Sequence, residues 1–286
     1  MLAEWIQRSY RLCVLLFCLW ASGVALGQGP PFLTDDPVPV DLHHCELYIF
    51  GAVDAGRSEI DPTGPAVEFN WGALPRTQLH FVLPLGGIVP RNSGGPDDPR
   101  QFGLTNAEFG VKYAFLLQTK HRPQIGTFPM FELPTGSYAT GLGVGRVWYK
   151  LPIWTYKDLG QWTVDGGGGY QIVPQKDYRD FGYGAFLVER KLGKKLELGT
   201  EIFTHGGEGD ATPHPLSSTL LDFGGYYHLP VPGMQLLAAY GRAIAGQSET
   251  YSYLALYWTW GKDKKRETGG SQYLHQELEG LPLVAR

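Results

Sequence analysis

From residue 42 onward, apolar and polar positions alternate in segment after segment of the chain. In CELYIF, Cys45, Leu47 and Ile49 take one face and Glu46, Tyr48 and Phe50 the other. VEFNWGA sets Val67, Phe69, Trp71 and Ala73 against Glu68, Asn70 and Gly72. TQLHFVLPL opposes Leu79, Phe81 and Leu83 to Gln78, His80 and Val82, and AEFGVKYAF opposes Phe109, Val111, Tyr113 and Phe115 to Glu108, Gly110, Lys112 and Ala114. A period of two is that of a strand with one apolar and one polar face. Twelve such strands are predicted, over residues 42–53, 65–73, 76–85, 103–116, 123–134, 146–156, 161–173, 181–190, 195–205, 218–229, 234–245 and 250–260.

The links between these runs alternate in length. Short ones fall at Leu74-Pro75, around Gln118 to Arg122, and at KDLG (157–160), KLGK (191–194) and PVPG (230–233). Between them come longer Gly-, Pro- and Asp-rich links: DAGRSEIDPTG, GGIVPRNSGGPDDPR, TGSYATGLGVG, PQKDYRD and GGEGDATPHPLSS. Tight turns on one side and long loops on the other are the rhythm of an up-and-down barrel in an outer membrane. A soluble sandwich has no reason to keep it. The prediction is therefore an all-β fold, a closed antiparallel up-and-down transmembrane β-barrel of about 12 strands over residues 42–260. Aromatic residues near strand ends, such as Trp71, Trp148, Trp154, Trp162, Tyr226, Tyr257 and Trp260, predict girdles at the two interfaces.

Composition sharpens this picture. With 39 Gly and 21 Pro, long helices are disfavoured. A net charge of −4 supplies no basic stripe for nucleic acid. Arg8 and Arg11 precede the apolar run Leu12 to Trp20 and the small residues up to Gly27, the layout of an export signal over residues 1–27. Cleavage before Gln28 would leave Cys45 as the single cysteine, so no internal disulfide is expected. Residues 28–41 read as an extended periplasmic lead-in, and residues 261–286 as a charged periplasmic tail.

The lead-in PPFLTDDP, the hairpin NWGALPRTQLHFVLPL, the run GLTNAEFGVKYAFL, FELPTG and WTVDGGGGY resemble the phenol-degradation MetA-pathway family of outer-membrane transporter barrels, over about residues 31–260. The resemblance implies an outer-membrane barrel passing small solutes, aromatic or lipophilic compounds among them. Its partners are expected to be outer-membrane lipid, an unidentified small solute and the barrel-assembly machinery. The tail after Trp260 departs from the family pattern, in which the last strand ends the chain on an aromatic residue.

The four glycines Gly166 to Gly169 sit in QWTVDGGGGYQIV, where no helix follows and no Lys-Ser or Lys-Thr closes a phosphate loop. They read as barrel wall, with Trp162, Val164 and Tyr170 facing lipid, Thr163 and Asp165 facing inward, and a tight bend or a bulky neighbour beside them. The polar phase of the strands predicts a lumen lined by Glu46, Glu68, Glu108, Lys112, Glu132, Lys150, Asp165, Glu201, Asp222 and Arg242, joined by Glu197. Tyr48, Phe128, Met130, Trp154, Phe186 and Phe203 would narrow it. Acids outnumber bases there, which in a wet pore favours cations. The alternative is a non-conducting structural or ligand- or partner-binding barrel. His43 to Glu46 cannot converge on a metal from one strand, the histidines have no nucleophile elbow nearby, and neither cofactor nor enzyme activity is expected.

Overall fold

The computed structural model describes residues 30–91, 100–174, 178–208 and 216–261. The expected export signal (1–27) and all but the first residue of the expected tail (261–286) lie outside them. Twelve antiparallel strands form the wall: β1 (His44–Ala55), β2 (Glu59–Leu74), β3 (Thr77–Pro90), β4 in two pieces (Gln101–Leu104 and Ala107–Leu116), β5 in two pieces (Gln124–Thr127 and Met130–Leu133), β6 (Trp148–Asp158), β7 (Trp162–Ile172), β8 (Phe181–Leu192), β9 (Leu196–Glu208), β10 (Leu216–His228), β11 (Met234–Gly246) and β12 (Thr250–Gly261). Each pairs with its sequence neighbour, and β1 pairs with β12 from His44↔Gly261 to Ala55↔Thr250, which closes the barrel. Closure leaves no wall strand without a partner on either side.

The expected runs are the observed strands, with two differences. β2 begins at Glu59 and β3 continues to Pro90, so most of DAGRSEIDPTG is strand and the β1–β2 link shrinks to residues 56–58. The fourth and fifth strands are each broken once. Pro129 has no N–H for the ladder, and the Val111 N–H donates to the Pro129 carbonyl at 3.0 Å across the gap. At Thr105-Asn106 the phase slips: Phe102 and Leu104 face out before the break, Phe109, Tyr113 and Phe115 after it. The Ala107 N–H there donates to Thr135 Oγ1 at 2.7 Å.

Polarity is inverted relative to a water-soluble protein. The outside carries Ile49, Val67, Phe69, Phe81, Leu83, Leu151, Ile153, Ile202, Phe223 and Leu254 in exposed positions, while Glu46, Glu68, Lys112, Asp165, Glu201 and Asp222 are buried inside. An apolar belt this extensive is stable only against hydrocarbon. Trp71, Trp162 and Tyr227 sit on the outer face as the girdles require, but Trp154, Tyr226 and Tyr257 turn inward.

The glycine tract follows from the same geometry. A Cβ on Gly167 would lie 2.2 Å from the Ile153 carbonyl oxygen and 2.7 Å from the Trp154 ring, and one on Gly169 would lie 2.7 Å from the Tyr183 hydroxyl. The neighbouring strands and two inward aromatic side chains thus occupy the space that side chains would need. Trp162 and Tyr170 face out and Thr163 and Asp165 face in, as the alternation requires.

Candidate functional site

Nine of the ten expected lining residues point into the barrel: Glu46, Glu68, Lys112, Asp165, Glu201 and Asp222 fully buried, Glu108, Glu132 and Lys150 partly so. Arg242 does not. Both phases of β11 are apolar, so alternation there cannot choose a face; the register with β12 pairs Gly241 with Tyr251 and puts Arg242 outward, in phase with Leu236 and Tyr240. Phe186 is a second correction, 54% exposed on the outer face. Its strand takes the opposite phase, which turns Leu187 and Glu189 inward. Glu189 was absent from the sequence expectation, although a carboxylate in mid-strand signals its own direction, because hydrocarbon rejects it. The next residue, Arg190, faces out near a turn and lies over the Trp162 ring at 4.9 Å.

Residues 30–41 do not stop at the barrel's edge. They cross the lumen and touch strands on opposite sides of it. The Tyr251 hydroxyl donates to the Pro31 carbonyl at 3.2 Å, and Phe32 packs edge-on against Tyr226. Glu201 accepts the backbone N–H of Leu33 at 3.0 Å, together with the backbone N–H and hydroxyl of Thr34. Asp36 pairs with Lys112 at 3.4 Å, Gln124 donates to the Pro37 carbonyl at 2.8 Å, and the Val40 N–H donates to Gln78 at 3.0 Å. The Lys112 ammonium also sits 4.8 Å over the Phe128 ring.

A second network lines the wall beside this segment. Asn70 donates to Glu68 at 2.8 Å, and His80 lies between Asn70 (2.7 Å) and Glu108 (2.9 Å). Glu108 also meets Lys150 at 3.4 Å and stands opposite Glu132 in the strand register. The Tyr257 hydroxyl donates to Glu46 at 2.8 Å. Asp165 differs from these: both of its carboxylate oxygens are buried and neither accepts a hydrogen bond from a described group.

Two chambers flank the crossing segment. The upper one, about 510 Å³, opens toward the loops and is walled by Trp148, Trp154, Tyr178, Phe181, Tyr183 and Phe203. The lower one, about 180 Å³, is lined by the Glu46, Glu68, His80 and Lys112 side. Leu33, Asp35, Met130 and Lys150 border both chambers. At the upper rim His205 and Glu249 lie 3.3 Å apart, and the hydrogen bond from His205 holds the Glu249 carboxyl below its ordinary pKa. Both ring nitrogens of His205 have acceptors, Gly206 O and Glu249, as do both of His80. Among the described residues, no group of three or more His, Cys, Asp or Glu is arranged to hold a metal ion.

The closed wall, apolar exterior and polar interior together define the fold of an outer-membrane β-barrel. The chain is similar to the COG4313 outer membrane channel from Pseudomonas putida F1, with TM-score 0.66 and 16% identity over 82% of this chain and 100% of that one. It is also similar to the NanC porin, with TM-score 0.50 and 9% identity over 76% of this chain and 100% of that one. At these identities the likeness is one of fold. No protein-family model and no curated protein matches the chain.

Proposed function

We propose that the chain is an outer-membrane channel that passes small solutes through a narrow, predominantly acidic lumen, long loops outward and short turns toward the periplasm. The reading rests on one observation above the others: two chambers inside an apolar-skinned barrel share a polar border at Asp35 and Lys150. Asp165 is consistent with a wet interior, since a buried carboxyl group without a protein donor must meet water or a counter-ion or else hold a proton. The aromatic upper chamber agrees with the aromatic or lipophilic solutes that the family resemblance implies. Similarity to an outer membrane channel and a porin is consistent with passage.

Single-channel recording in planar bilayers under a KCl gradient tests this. Discrete currents with a cation-selective reversal potential are expected. Glu108→Gln should move that potential toward anions, because it strips a charge partner from Lys150 and His80. An unchanged potential would remove this part of the wall from the conduction path. The crossing segment favours a second reading, a binding barrel that does not conduct. Silence from protein shown to be folded in the bilayer would select it.

A further inference from the structure

We propose that the upper chamber is a binding site for organic cations, amines carried on an aromatic or apolar body, with Asp35 as the counter-ion. The inference rests on reading the barrel as a solute channel and names the chemical class that its entrance selects.

Two basic groups at the chamber are already engaged. Lys150 is held by Glu108 at 3.4 Å and lies 5.2 Å over the Trp148 ring. His205 is held by Glu249 at 3.3 Å. The border's cation and the rim's histidine are therefore both engaged by carboxylates and offer little to an incoming anion. Asp35 is different: half-buried, it lines both chambers and forms no hydrogen bond or close ion pair with a described group, and Lys112 and His80 act on it only from a distance. Its neighbour Asp36 takes Lys112. A half-buried carboxylate that faces two chambers and has no hydrogen-bonded partner in the protein is open to a ligand that supplies an ammonium group, which would gain a charge-assisted hydrogen bond there.

The walls add a second, independent preference. Trp154, Tyr183 and Phe203 stand in sequence around the chamber, Trp154 and Tyr183 at 6.3 Å and Tyr183 and Phe203 at 6.2 Å between ring centroids. Aromatic faces attract cations through their quadrupole and bury an apolar ligand body at the same time. At about 510 Å³ the chamber lies within the range that holds a small organic molecule. Neutral aromatics gain the walls alone. Aromatic acids gain the walls but meet Asp35 and Glu249.

Titration calorimetry on the mature chain in lipid nanodiscs, with empty nanodiscs as the blank, separates these cases. The probes are 2-phenylethylamine, 2-phenylethanol and 3-phenylpropionate at neutral pH, which share a ring and a similar tether and differ in charge. The amine should bind about tenfold or more tighter than the alcohol, the scale of one charge-assisted hydrogen bond, and the acid should bind weakest. Asp35→Asn should erase the amine's advantage and leave the alcohol unchanged, and Asp35→Glu should keep the advantage. Equal binding of amine and alcohol, tightest binding of the acid, absence of binding, or an amine preference that survives Asp35→Asn would each overturn the site. Bilayer currents from the same preparation judge the channel separately. Currents without amine preference would overturn the site alone, and amine preference without currents would overturn the channel alone.

Discussion

At the scale of single residues, the wall is set by what cannot be there. Gly167 is the sharpest case, since a side chain would meet the Ile153 carbonyl oxygen at 2.2 Å, and backbone cannot step aside as a flexible side chain can. Gly167→Val should therefore cost about 3 kcal/mol, the upper end of overpacking penalties. Gly182→Ala, whose new carbon would lie 3.8 Å from the Gly169 carbonyl oxygen, should be neutral or slightly stabilising. Urea midpoints of the barrels folded into vesicles check both, and equal midpoints would mean that the glycine tract is not tightly packed. Inward and outward placement of residues was legible in the sequence wherever one phase of a strand was polar, as in Glu46-Tyr48 or Gln78-His80. In β11 both phases contain apolar residues and only cross-strand register decides, while in β8 the one pointer is the carboxylate of Glu189. Arg242 therefore takes its outward place from register alone, and Phe186 its outward place from the inward phase that Glu189 sets.

At the scale of elements, the strands follow from the period-two pattern because each must show lipid one face and the lumen the other. The crossing segment has no such signature. PPFLTDDPVPV reads as extended chain in any surroundings, and its place inside the barrel depends on groups supplied by distant strands, Glu201, Lys112, Gln124 and Gln78. The break in β5 is half-legible, since Pro129 announces a missing hydrogen bond but not that the strand resumes beyond it, whereas Thr105-Asn106 carries no residue that announces the break in β4. Glu201 is the firmest anchor of the segment, accepting two backbone N–H groups and one hydroxyl. Glu201→Ala leaves those donors without their acceptor, at about 1–3 kcal/mol for each that stays buried and unpaired. The segment should then loosen. Its expected signature is larger or noisier single-channel current with the barrel's thermal stability lowered but its fold retained. Currents identical to those of the unaltered chain would show that the segment does not limit passage.

At the scale of the molecule, the distribution of polarity carries more information than any one site. Buried acids within and exposed Phe, Leu and Ile without would make a poor water-soluble protein; the arrangement fits hydrocarbon on the outside and, within, protein partners such as Lys112 and the crossing segment for the acids. Hydrocarbon and water make different demands on the same outer-face substitution. Phe223 lies in the middle of β10, exposed and paired across to Thr200 and Tyr240, while Tyr227 lies near the short-turn end of the same strand. In a bilayer, Phe223→Lys should destabilise the barrel by about 2–4 kcal/mol, whereas Tyr227→Lys, close to the interface, should cost only about 0–1 kcal/mol. In water the depth of a residue along the strand has no meaning, and two exposed aromatic-to-lysine changes would differ little. Folding free energies measured in phospholipid vesicles for both variants therefore test the placement of the whole barrel. A cost that follows depth along β10 places the strand across a membrane. Equal costs would mean that the apolar exterior is covered by something other than lipid, and the channel reading would fall with it.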